Sequence, residues 1–226
     1  MKKENLKTTR PIIFCNIGWC TFYDAREDDQ LIGGGSHVRK YKTGNEHLNF
    51  IPFRVCWDDT GEEEDLFLGS YETKSHNGIA NQTHLEHIIG CSAHRNDTVA
   101  SGVTVVWCAL NPAGKTCVVG WYNNANVFRR YQSMFIDDDD NEQTWDRVYN
   151  ISCKYQDAVL LPLEEREDEK WEIPRHTHNS KTPYGFGQSN IWYASKPEAS
   201  ELVKRIIAQI DAYDGIDIKP LLTDVM

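Results

Sequence analysis

The chain lacks the short patterns that announce most enzymes. It holds no G-x-S-x-G elbow, no H-E-x-x-H pair and no cysteine in a recognisable protease setting, so nucleophilic and zinc-hydrolase chemistry has no local carrier. Gly33 to Ser36 (GGGS) is not followed by Lys-Ser/Thr, nor is it framed by a strand and a helix; neither a phosphate loop nor a dinucleotide fingerprint is present. The seven cysteines are odd in number and contain no C-x-x-C pair, which predicts reduced residues, mostly in the core. His84 and His87 lie near Cys91 and His94 but lack a second close pair, so no metal and no cofactor are expected. Carboxylates are plentiful yet gathered into runs, unlike the dispersed acids of a metal-dependent nuclease. No catalytic residue is assigned. No apolar run approaches the roughly 20 residues that span a bilayer, and the start MKKENLKTTRPIIF has no signal-like segment; the expectation is a cytoplasmic protein with no membrane partner.

Positive charge is also scarce. Lys and Arg total 24 against 34 Asp and Glu, for a net charge of −10 and a pI near 5.3, which excludes coating nucleic acid by charge and makes any such contact local. The acidic excess sits at Asp58 to Asp65, at Asp137 to Asp140 with Glu142, and at Glu164 to Glu169. Such runs read as solvated loops or tips.

What is present is a globular pattern rich in tryptophan, 226 residues long and 40% hydrophobic, which predicts a single α+β domain over residues 11–226 after a flexible segment 1–10. Ile12 to Ile17 reads as a buried first strand. Further strands are expected over Asn45 to Phe53, Glu64 to Tyr71, Val148 to Tyr155 and Ala158 to Leu161. His84 to Cys91 reads as a short helical turn closed by Gly90. Residues 197–213 form the clearest helix, with Pro197 at its start and Leu202, Val203, Ile206, Ile207 and Ile210 on one stripe. The tail ends on apolar residues without a terminator, as a chain that continues would.

Thr104 to Tyr131 (TVVWCALNPAGKTCVVGWYNNANVFRRY) carries the most information. Two apolar runs around Asn111 to Lys115 predict a hairpin. Beyond it come Trp121, Tyr122, three asparagines, Arg129 and Arg130. Flat rings, amides and guanidiniums together suit stacking on a base and holding its phosphates; a core hairpin with a polar exit loop is the alternative. Tyr184 to Tyr193 (YGFGQSNIWY) repeats that chemistry. The glycines of Gly33 to Ser36 would let a ligand touch main-chain N–H groups, or make a flexible loop.

The order IIFCNIGWC, GGGS, NEHLNF, VVWCALNPAGKTCVVGWYNNANVFRR, DAVLLP and GFGQSNIWYA, over roughly residues 11 to 195, resembles the PUA-like group close to EVE and YTH domains. It is most similar to the modified-base-reading modules of modification-dependent (type IV) restriction systems. The resemblance implies a small twisted β-barrel with flanking helices and an aromatic pocket for an extruded modified base, here a modified cytosine in DNA. It implies service in restriction or phage defence, with any cleavage supplied by a nuclease domain or subunit elsewhere. Trp19, Trp121 and Trp192 are the cage candidates it suggests, with Trp107 in the core. Asn16, Ser189 and Asn190 are assigned to the base edge, Gly34, Gly35 and Ser36 to main-chain donation, and Arg129, Arg130, Arg39 and Lys40 to phosphates. Binding of RNA or modified RNA stays open, as does a module for cationic or methylated peptides.

Overall fold

A computed structural model describes residues 10–33, 44–57, 60–73, 75–76, 79–138, 143–176, 178 and 182–220. Its architecture is α+β with few helices. The strands are β1 (Ile12–Ile17), β2 (Pro52–Cys56), β3 (Glu63–Gly69), the short pair β4 (Ser75–His76) and β5 (Ile79–Ala80), β6 (Val99–Leu110), β7 (Thr116–Asp138), β8 (Gln143–Lys154), β9 (Ala158–Leu160) and β10 (Ile191–Trp192). The helices are α1 (Leu163–Arg166) and α2 (Ser200–Asp211). None is long and apolar enough to cross a membrane.

One eight-stranded sheet runs in the order β10-β1-β6-β7-β8-β3-β2, with β9 also on β7. β1 lies parallel to β6, and the other pairings in it are antiparallel. The expected closed barrel is not formed. β10 at one end is two residues long and β2 lies at the other, so the sheet keeps two edges.

The β6–β7 hairpin is present and longer than expected. Its turn is built by Asn111, whose main-chain N–H donates to Lys115 O (2.8 Å) and whose side-chain oxygen accepts from Lys115 N (2.8 Å). Gly114 supplies the left-handed residue at φ +83°. Gly120 serves a close approach: a Cβ there would lie 2.4 Å from the carbonyl oxygen of Val159 on β9.

The apolar runs are continuous because the central strands are buried on both faces. Ile13, Cys15 and Ile17 join Val105, Trp107 and Tyr122 in one core, while Ile12 and Phe14 join Val106, Cys108, Val118 and Trp121 in a second. α2 covers the second core with Leu202, Val203, Ile206 and Ile210, the stripe read from its sequence. Trp107 is fully buried, as expected. Residues 45–48 depart from the expected strand and form a 3-10 turn, Asn45–Leu48, before β2. The Asn49 side chain there pairs with both main-chain groups of Ser70 (3.0 and 2.8 Å), replacing strand pairing at that point.

Candidate functional site

β10 runs antiparallel to β1, with Phe14 opposite Trp192 and Cys15 opposite Ile191. Successive side chains alternate between faces, and this divides the Tyr184 to Tyr193 cluster. Trp192 turns to the second core, against Phe14 (4.9 Å), Tyr184 (6.2 Å) and Phe186 (6.0 Å). Ile191 and Tyr193 pack on the first.

On that side Ser189, Asn190, Ile191 and Tyr193 form one wall of a cleft of about 430 Å³. Glu72 and Thr73, beyond the end of β3, and Asn81, Gln82 and His84 complete it. The lining is mostly amide, hydroxyl and carboxylate. Tyr131 on β7 steadies the rim, its hydroxyl accepting from Thr73 N (2.9 Å) and donating to Tyr71 O (2.8 Å). The Tyr193 hydroxyl accepts from His84 N (2.8 Å). Burial pushes its pKa up to about 12, so the phenol is neutral and keeps its own proton to donate.

A directed chain of hydrogen bonds sets the amides of this wall. Arg175 Nη2 donates to Asn16 Oδ1 (2.7 Å), Asn16 Nδ2 to Asn190 Oδ1 (3.4 Å), and Asn190 Nδ2 to the Glu72 carbonyl (3.0 Å). A guanidinium only donates, so Asn16 must turn its oxygen to Arg175, and the orientation of Asn190 follows. Arg175 is itself held by Nε donating to Thr116 Oγ1 (2.6 Å). The middle bond is long, and the main-chain bond from Asn16 N to Asn190 O (2.7 Å) reinforces it.

Ser189 and Asn190 thus line the cleft, and Asn16 stands behind them, bonded to Asn190. Other assignments need correction. Trp121 is 1% exposed, stacked on Trp171 (5.5 Å) and met edge-on by Tyr213 (5.2 Å); a base would have to displace core rings to reach it. Trp19 is also buried, its main chain paired with Ile32 (2.8 and 2.7 Å) and its ring beside Arg166. Trp192 is half-buried on the face opposite the cleft. Arg129 is buried, and donates to the carbonyls of Asp97 (2.6 Å), His94 (2.9 Å) and Thr83 (3.4 Å) and to Glu86 (3.0 Å). Its charge braces the 83–97 segment. Arg130 is exposed, while Gly34, Gly35, Ser36, Arg39 and Lys40 lie outside the described residues. Glu72, Thr73, Asn81, Gln82, His84 and Arg175 were missed from the sequence; the polar run Asn81 to His84 was the signal for some of them.

Among the described residues Cys20, Asp29 and His47 are the buried group able to hold a metal, with donor atoms within 4.8 Å of one another. The Asp29 carboxylate and His47 Nε2 are already engaged. Asp29 accepts from Thr21 N (2.7 Å) and Phe22 N (2.5 Å), and His47 Nε2 donates to the Asp29 carbonyl (2.6 Å). Burial and the neighbouring Asp29 push the Cys20 thiol well above its ordinary range. The buried Arg166 guanidinium, donating to Cys20 O (2.7 Å) and Thr21 O (2.6 Å), adds positive charge beside them. The cluster closes the loop after β1, and no metal is assigned to it.

Comparison of the chain with family models, curated proteins and solved structures finds no significant match.

Proposed function

We propose that this chain is a DNA-binding domain that reads a modified base, a modified cytosine, by taking it extruded from the duplex into the cleft beside Asn190. The observation that carries the reading is the directed amide chain from Arg175 through Asn16 to Asn190, which presents a fixed donor and acceptor pattern on one wall. A base edge is recognised by such a pattern, and its flat faces need only rings such as Tyr193 and His84 beside them. The exposed Glu72 lines the same cleft, and a carboxylate there accepts from the exocyclic amine of cytosine. The tryptophan cage is not part of the proposal, because Trp19 and Trp121 belong to the core. With a net charge of −10, affinity rests on few phosphate contacts and its salt dependence is shallow. The kinship to EVE and YTH domains, and service to a restriction or phage-defence system whose nuclease lies elsewhere, belong to the same proposal.

The test is binding to matched duplexes carrying cytosine, 5-methylcytosine, 5-hydroxymethylcytosine or N6-methyladenine at one moderate salt concentration, with wild type and Asn190→Ala. Preference for a modified cytosine, reduced by roughly 1–3 kcal/mol in the variant, is the expected result. No preference, or one that Asn190→Ala leaves untouched, refutes it. The Glu72 carboxylate in the cleft favours one competitor, a cationic or methylated peptide; peptide binding without any response to DNA or RNA selects that reading, and a 2′-hydroxyl requirement selects RNA.

A further inference from the structure

Tyr193 also borders a second cleft, of about 440 Å³, to whose lining Asn190 does not contribute. The partition between the two is stiff. The Tyr193 hydroxyl is held by His84 N (2.8 Å), the His84 and His87 rings stack at 5.1 Å, and His87 meets Tyr193 edge-on at 5.5 Å. Glu86, between the histidines in sequence, is held by Arg129 (3.0 Å) and by His84 Nδ1 (3.3 Å). The buried Arg129 thus fixes the wall that separates the clefts. The Glu86 main chain, the Arg129 guanidinium and His84 also hold the Glu86 carboxyl well below the ordinary carboxylate range, so the brace stays charged at any working pH.

The two sides of the partition differ in chemistry. The Asn190 side is lined by directional amides. The second cleft is bounded by Ile88, Ile89, Gly90 and Cys91, with Ser195, the His87 ring and the Glu86 carboxylate that Arg129 holds. It offers the rings of His87 and Tyr193 and a carboxylate already paired with Arg129, and no amide side chain. That is the chemistry of a stacking platform that accepts any base, beside one that reads an edge.

We infer that the second cleft receives the nucleoside next to the read base on the same strand, so that Tyr193 stands between consecutive bases and the ligand is a dinucleotide step. An inserted ring sets two bases about 7 Å apart, twice the roughly 3.4 Å rise per nucleotide, and Tyr193 is the side chain that lines both clefts. The inference rests on the reading proposed above. It adds that affinity comes from both clefts, whereas discrimination between bases comes from the first.

Ser195→Trp fills the second cleft from an exposed position. Measured on the duplex panel above, it is expected to weaken binding about tenfold for modified and plain duplexes alike, leaving their ratio unchanged, while Asn190→Ala lowers the ratio. Wild-type affinity in Ser195→Trp with a lowered ratio in Asn190→Ala overturns the inference and leaves the reading standing. No change in either variant overturns both. A measurement on the wild-type chain needs no variant to fold: the dinucleotide of 5-methyldeoxycytidine and thymidine should bind at least tenfold more tightly than 5-methyldeoxycytidine monophosphate, and equal affinities overturn the inference.

Discussion

Replacing Glu46 by glutamine should remove a defined part of the pH dependence of folding. Glu46 sits in the 3-10 turn before β2, is 7% exposed, and accepts a main-chain bond from Gly18 N at 3.1 Å. Burial, with Glu72 nearby, raises its pKa from 4.5 to about 7, against the lowering effect of the Gly18 bond. The folded state therefore holds this proton over a range in which the unfolded state has released it. Stability falls as pH rises between about 4.5 and 7, and the deficit is constant above. At about 1.36 kcal/mol per pH unit the full deficit is on the order of 3 kcal/mol. The glutamine of the Glu46→Gln variant keeps an oxygen for Gly18 N and carries no charge. Urea unfolding followed by tryptophan fluorescence at pH 4.5, 6 and 8 should find the variant close to wild type at the lowest pH and more stable by up to about 3 kcal/mol at the highest. Titration of other groups cancels in the difference. An offset that does not change with pH refutes the buried setting described for Glu46.

Trp121→Ala should cost about 3–5 kcal/mol of unfolding free energy, because it empties a site packed by Trp171 and Tyr213. Binding of the folded fraction to the duplex panel should be unaffected, and a selective loss of binding at unchanged stability would restore Trp121 as a stacking ring. Arg129→Met removes one donor each from the Glu86 carboxylate and three carbonyls, and should lower stability on the order of 3 kcal/mol. The slope of affinity against salt should stay at its wild-type value, since a phosphate contact would have contributed about one unit to that slope.

Features governed by neighbouring residues are legible in the chain itself. Ile12 to Ile17 forms β1 as read, Asn111 to Lys115 turns the hairpin, and the stripe from Leu202 to Ile210 lies inward on α2. Each depends on local propensity, turn chemistry or a short period. Within Asn45 to Phe53 only the end at Pro52 and Phe53 is strand; residues 45–48 depart because the Asn49 side chain, through Ser70, does the work of strand pairing, and that partner is distant in sequence.

The site needed the tertiary fold. Asn16, Ser189 and Asn190 were recognisable as amide and hydroxyl groups near aromatic residues, and the sequence by itself determined that chemistry and the sparse positive charge. Exposure of a ring or a guanidinium is a different kind of property. Trp121 and Trp192 are neighbours of polar residues in the chain, yet the register of β6 on β7 and of β10 on β1 turns both to the second core. A strand buried on both faces has no inward and outward alternation to reveal this. Arg129 and Arg175 look alike in sequence, and only packing makes one a brace for Glu86 and the other the origin of the amide chain. Composition determined which groups are available; the three-dimensional register decided which of them meet at a surface, because burial and hydrogen-bond direction depend on residues far away along the chain.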